Sequence, residues 1–265
     1  MERQKRILIT ALTVFFAMGY WGTAGKAGAQ TGQTLDLSKK MNLDRIRACG
    51  FVTDQSIPLL GTIVGSQDAS NNLSEGDLVY IKLEAGKQVK AGDRLPISRF
   101  SKEIEHPVTK KKLGYALYFP GWVVITDGKG PVVPAMIDKS FAAIMHGDRI
   151  VASPPPIPAA VPIRMQEGLK GFIVAAAEEE VTVSEREVVY IDRGTFDGVI
   201  IGDLFSIYSM PYYTQEALDS QDKLPLFKSG EGVAIYVTPQ TSTLLVTHSK
   251  DAIYVGDTVV SGKGK

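Results

Sequence analysis

A five-residue pattern, hydrophobe-x-x-Gly-Asp, recurs along the chain and constrains its fold more than any other feature. Glycine accepts a positive φ and aspartate hydrogen-bonds to nearby backbone, so the pair favours a tight turn. The apolar residue two positions after each Asp is then where a half-buried strand begins. The pattern therefore predicts β-hairpin corners with no catalytic role, at Gly92-Asp93, Gly147-Asp148, Gly202-Asp203 and Gly256-Asp257.

The spacing of the corners indicates an internal duplication. Residues 61–100 align with residues 171–210 at one constant offset, which places Gly61 over Gly171 and Tyr80 over Tyr190. Such fixed-offset identity is typical of tandem copies of one structural unit. Apolar and polar residues alternate with period two inside each copy, as expected of short strands.

These patterns predict an all-β protein of two tandem, related small β-barrels or sandwiches. We expect one short helical turn in each, at 140–144 and 249–253, leading into the last corner. The predicted organisation is a signal peptide over 1–29, a flexible entry segment over 30–59, a first repeat over 60–153, a proline-rich spacer over 154–163 and a second repeat over 164–262.

The first thirty residues have the three parts of a secretory signal peptide. Basic residues at Arg3, Lys5 and Arg6 precede an uncharged stretch over 7–21, and small residues follow at 27–29. We expect cleavage after Ala29 and a periplasmic protein. The alternative is an uncleaved anchor, but the stretch is shorter than the roughly 20 apolar residues that a spanning helix needs.

Composition limits the classes of function. The chain has 29 basic and 29 acidic residues and becomes slightly acidic without its leader, so nucleic-acid binding has no electrostatic basis. The single cysteine, Cys49, is interpreted as a small buried apolar residue. None of the three histidines has a second ligand at metal-binding spacing, and phosphate-loop, dinucleotide and calcium motifs are missing. We therefore expect no catalytic residues, no metal and no cofactor.

The candidate contacts lie in loops and in one aromatic cluster. The first copy has a predicted hairpin that ends in His106-Pro107 and three lysines, and the second has a polar loop with two tyrosines. The aromatic cluster belongs either to the barrel core or to a sugar-binding surface, since aromatic faces stack on sugar rings. The candidate partner or sugar contacts are Lys110, Lys111, Lys112, Tyr115, Trp122, Tyr212 and Tyr213.

Both repeats resemble domains of the bacterial cell envelope. Through Gly61-Thr62-Ile63-Val64, the segment 73–80, His106-Pro107 and the segment 147–150, the first repeat is similar to a domain that follows the LysM module in secreted envelope proteins. The second repeat is similar to the C-terminal small β-barrel of flagellar assembly protein T, through 189–191, 197–199 and 205–208. No LysM repeat stands in residues 30–60.

The resemblance implies a non-enzymatic role at the cell wall or around an envelope machine such as a flagellar or secretion apparatus. We expect a periplasmic scaffold or adaptor that binds envelope proteins through barrel edges and loops, because an open barrel offers strand edges to which a partner adds a strand. The alternative is a module that binds peptidoglycan or another polysaccharide. The sequence does not determine the oligomeric state.

Overall fold

The structure, a computed structural model, consists almost entirely of β-strands. It describes residues 30–40, 46, 48–69, 72–152, 158, 160–166, 168–177, 182–211, 213–214 and 225–262. One helical turn, α1, spans Leu37–Lys40, and none of the described helices is long and apolar enough to cross a membrane. The strands are β1 (Gln30–Asp36), β2 (Phe51–Thr53), β3 (Leu59–Ser66), β4 (Leu78–Leu83), β5 (Arg94–Glu105), β6 (Lys112–Ile125), β7 (Val132–Ser140), β8 (Arg149–Val151), β9 (Ala160–Arg164), β10 (Lys170–Ala176), β11 (Val188–Ile191), β12 (Leu204–Ser209), β13 (Phe227–Val237), β14 (Ser242–Ser249) and β15 (Thr258–Ser261).

Each repeat forms a six-stranded barrel. The second barrel is closed in the order β10-β11-β14-β13-β12-β15. In the first, the strand order β6-β5-β8-β3-β4-β7 is closed by pairing of β7 with β6, and β2 adds to β6 outside the ring. Barrel interiors are filled by separate apolar clusters, one around Ile81 and Val123 and the other around Phe205 and Leu244.

The strand order and the pairing register are the same in both barrels. Tyr80 faces Pro134 across β4 and β7, and Tyr190 faces Thr243 across β11 and β14. The isolated bridge from Leu73 to Ile144 likewise recurs as one from Val183 to Ile253. The predicted all-β fold of two related small barrels is confirmed.

All four predicted corner glycines have positive φ, between +88° at Gly92 and +102° at Gly256. In every corner the Asp N–H donates to the carbonyl three residues earlier, and the Asp carboxylate accepts from the N–H of that same residue. Gly76-Asp77 makes a further corner of this kind. In the second barrel its equivalent has Glu187 as the acceptor and Arg186, at φ +73°, in place of the glycine.

The two barrels share a hydrophobic core. It joins Ile46, Cys49 and Val52, which precede the first barrel, to the outer face of the second barrel, where Val188 and Tyr190 are 1% exposed. The Tyr190 hydroxyl donates to the Cys49 carbonyl, as the Thr241 and Thr243 hydroxyls do to the carbonyls of Val52 and Gly50. Cys49 is buried, as predicted. The junction is therefore packed and hydrogen-bonded.

Two segments that the sequence assigns to connections carry strands. Within the entry segment, β1 pairs with β9 and β2 with β6, because both find a partner far away in sequence. The end of the spacer, Ala160–Arg164, is β9, and Pro162 is tolerated there because the β1–β9 sheet has only two strands. The predicted signal peptide over 1–29, the end of the predicted tail over 263–265 and most of the proline run lie outside the described residues.

The expected helical turns at 140–144 and 249–253 are wrong. Each segment is a bend that ends at an extended bridge, where Ile144 exchanges backbone hydrogen bonds with Leu73 and Ile253 does so with Val183. These long-range ladder bonds use the backbone groups that a helical turn would need.

Candidate interaction site at the barrel junction

A hairpin arm of the first barrel reaches the second barrel. Strand β5 pairs with β8 only through Ile97 and Ser98, and from there β5 and β6 continue as a hairpin to its tip at 106–111. The Lys111 carbonyl accepts from the His106 N–H, and the His106 carbonyl accepts from the Lys110 N–H. Lys110 adopts φ +58°, a left-handed conformation that closes this turn.

His106 joins the arm to the second barrel. Its Nδ1 accepts hydrogen bonds from the N–H groups of Val108 and Thr109 at 3.0 and 3.1 Å, so the ring hydrogen lies on Nε2. Nε2 donates to Oδ2 of Asp192 at 3.0 Å, and both side chains are buried. The ring also packs edge-on against Phe172 with centroids 5.4 Å apart.

Asp192 is held by three groups at once. Its Oδ1 accepts from the Phe172 N–H at 2.6 Å, and its Oδ2 accepts from Arg193 Nη1 at 2.8 Å as well as from His106. A buried carboxylate is stable only with such partners. Since every ring nitrogen of His106 and both oxygens of Asp192 are engaged within the protein, this pair fixes the arm in position.

Next to this pair, a short 3-10 turn at Thr195–Asp197 carries an exposed aromatic ring. Phe196 is 82% exposed, more than any other large hydrophobic residue described. Its backbone is fixed, because its N–H donates to the Pro239 carbonyl and the Asp197 carboxylate accepts from the Gly194 N–H at 3.0 Å. Gly198 ends the turn at φ +85°.

Phe196 separates two depressions in the surface. A cleft of about 580 Å³ lies on one side, with Lys111, Arg193 and Asp197 on its walls and the His106–Asp192 pair in its lining. A smaller depression of about 100 Å³ lies on the other side, along residues 52–55 and 238–241. Leu113 and Gln240 line both. The result is an apolar ring with space on each side and charges of both signs at the rim.

The structure brings only some of the candidate contacts to this site. Lys111 lines the cleft, Lys110 is exposed at the tip beside it, and Lys112 points to Glu103 on the arm at 2.6 Å. The Glu103 contact raises the pKa of Lys112 above its ordinary value. Tyr213 donates to the Pro225 carbonyl within its own loop, and Tyr212 lies outside the described residues.

Trp122 lies in a buried cluster outside the interior of the first barrel, which corrects its assignment as a sugar contact. Trp122 is 4% exposed and packs edge-on against Phe119 and Phe141. Tyr115 is 43% exposed, but it packs against Phe100 on the arm. The two rings therefore form no common platform for a sugar.

The barrel edges expected to accept a partner strand are also not there. Closure pairs the strands on both sides over the body of each ring, and β2, the strand added outside, is covered by hydroxyl groups of the second barrel. In the hairpin arm, outside the rings, β5 beyond Ser98 pairs only with β6. Sequence reasoning did not identify Phe196. The Thr-Phe-Asp-Gly run signals a capped turn, but nothing in it indicates that the ring is exposed beside the hairpin arm. Within the described residues, no group of three or more His, Cys, Asp or Glu is placed to hold a metal ion.

Comparison with known proteins gives no match to any family model and no match to a curated protein.

Proposed function

We propose that this protein is a non-enzymatic adaptor of the bacterial periplasm that binds another envelope protein at the barrel junction. The observation that carries the proposal is the rigid, 82% exposed ring of Phe196 between two depressions. An exposed aromatic ring on a fixed turn loses little conformational entropy on binding, and such anchors provide much of the energy of protein interfaces.

Two further features support a protein partner over a sugar. The rim of the cleft carries Lys111, Arg193 and Asp197, which matches the polar rim around an apolar centre in protein interfaces. The two aromatic residues that the sequence offered as sugar contacts, Trp122 and Tyr115, are respectively buried and packed against Phe100 on the arm. Both ring nitrogens of His106 are hydrogen-bonded, one to its own loop and the other to Asp192, which favours a structural role for the His106–Asp192 pair over an acid-base role.

The test places a photo-crosslinking amino acid at position 196 in cells that export the protein, with position 200 as the control. Ile200 is 47% exposed on the same barrel but does not line the cleft. We expect a discrete crosslinked protein from position 196, none from position 200, and loss of that complex on Lys111→Glu. No crosslinked protein from position 196, or retention on purified peptidoglycan sacculi that Phe196→Ala abolishes, would contradict the proposal.

A further inference from the structure

The two barrels have the same apolar outer face, and only one of the two is covered. In the second barrel this face consists of Val174, Val188, Tyr190, Val233 and Leu245, all at most 3% exposed. The equivalent positions of the first barrel, read from the matching strand registers, are Val64, Leu78, Tyr80, Val124 and Met136. We call these five residues the Tyr80 face.

The Tyr80 face is exposed despite its composition. Val64 is 50% exposed, Met136 47% and Tyr80 38%, while Leu78 and Val124 are half-buried. Cross-strand pairing makes the face continuous, since Met136 lies opposite both Leu78 and Val124. A contiguous apolar patch of this kind on a soluble surface marks an interaction site.

The duplication also indicates what covers such a face. On the second barrel the hairpin arm contributes Ile104, Leu113 and Ala116 to the cover, and the added strand contributes Val52. The rest of the cover consists of Leu37, Ile46, Cys49 and Val161. The second barrel has its own β12–β13 hairpin, in which Ser209 pairs with Phe227 where Arg99 pairs with Tyr118 in the first. The next residues, Met210 and Leu226, are 55% and 41% exposed.

We propose that a second copy of this chain covers the Tyr80 face, with the Met210 and Leu226 end of its second barrel. In this head-to-tail contact the end of a hairpin of one molecule lies on the Tyr80 face of the next, as the hairpin arm lies on the equivalent face of the second barrel within one molecule. Because the two contacting surfaces differ, an open assembly always keeps one free Tyr80 face and one free Met210 end, and growth continues until a ring closes or a filament forms. The proposal does not depend on the Phe196 site.

The experiment is analytical ultracentrifugation of the protein purified from the cells that express it, with no further processing. We expect wild type to form species larger than a dimer with increasing concentration. Tyr80→Glu and, separately, Met210→Lys should each weaken the association by about tenfold or more, since a charge then enters an apolar contact. Ile200→Glu is the control, because Ile200 is 47% exposed and precedes β12, whereas Met210 follows the other end of that strand.

Mixing the variants tests the head-to-tail geometry. Tyr80→Glu retains the Met210 end and Met210→Lys retains the Tyr80 face, so an equal mixture should form a one-to-one dimer that does not grow further. Wild-type protein that stays monomeric up to its solubility limit would overturn the proposal. So would a dimer of wild type that the mixture fails to restore, because that result indicates a symmetric contact between two Tyr80 faces.

Discussion

Substitution of Gly202 by alanine should destabilise the second barrel far more than the same change at Gly256. Both glycines have positive φ, +97° and +102°, so each alanine incurs the left-handed strain of about 1–2 kcal/mol. A Cβ at Gly202 would also lie 2.0 Å from the Pro162 carbonyl oxygen, whereas at Gly256 it meets only the Pro107 side chain at 3.9 Å.

The extra cost at Gly202 follows from what the displaced backbone holds. Pro162 must move by more than an ångström, and β9 carries the Arg164 N–H that donates to the Gly202 carbonyl at 2.8 Å. Arg164 also holds the buried Asp203 through two hydrogen bonds. Weakening one backbone hydrogen bond and one charged pair costs about 2–4 kcal/mol. Together with the left-handed strain, Gly202→Ala should therefore lower the free energy of unfolding by about 3–6 kcal/mol.

Hydrogen exchange measures how much each of the two substitutions destabilises the barrel. The free energy of opening, read from slowly exchanging amides of β14, should fall by about 3–6 kcal/mol in Gly202→Ala and by about 1–2 kcal/mol in Gly256→Ala. The Arg164 amide should lose its protection only in the former. Equal destabilisation by the two changes would refute the argument from the Pro162 contact.

Three further predictions concern single side chains. Arg186→Gly should raise the free energy of unfolding of the second barrel by about 1 kcal/mol in urea denaturation, because φ +73° strains a residue with a Cβ; a loss of stability would contradict this. Burial raises the pKa of Asp257 despite its bond from Ser209. Its destabilising effect is absent below the ordinary Asp pKa and complete above the raised pKa, so the stability of Asp257→Asn relative to wild type should increase as the pH rises from below the ordinary Asp pKa towards neutral, and a constant difference would count against it. His106→Ala should cost about 1–3 kcal/mol and deprotect the arm in hydrogen exchange, because Asp192 loses a buried partner; unchanged protection of the arm would exclude its role in fixing the junction.

Local turn chemistry explains why part of the fold could be predicted from the sequence. A Gly-Asp pair specifies its corner through atoms within four residues, and the constant offset between 61–100 and 171–210 predicted that the two repeats share one fold. The same reasoning missed the corner at Arg186, because a residue with a Cβ gives no signal for positive φ. The helical turns before Ile144 and Ile253 were wrong for a related reason: bridges to Leu73 and Val183 overrode local propensity.

Most of the candidate site could not be predicted from the sequence, because tertiary structure decides which of its side chains are exposed. Trp122 and Tyr115 are close in sequence, yet one is buried and the other exposed, because Phe119 and Phe141 pack over Trp122 in a cluster outside the barrel interior. Tyr80 and Tyr190 are equivalent in sequence, fold and register, but 38% and 1% exposed. What differs between them is a hairpin arm and a short strand from elsewhere in the chain, and no pattern around either tyrosine encodes that contact. The sequence by itself determined two copies of one barrel; the packing of one copy against the other decided which surfaces remain open to a partner.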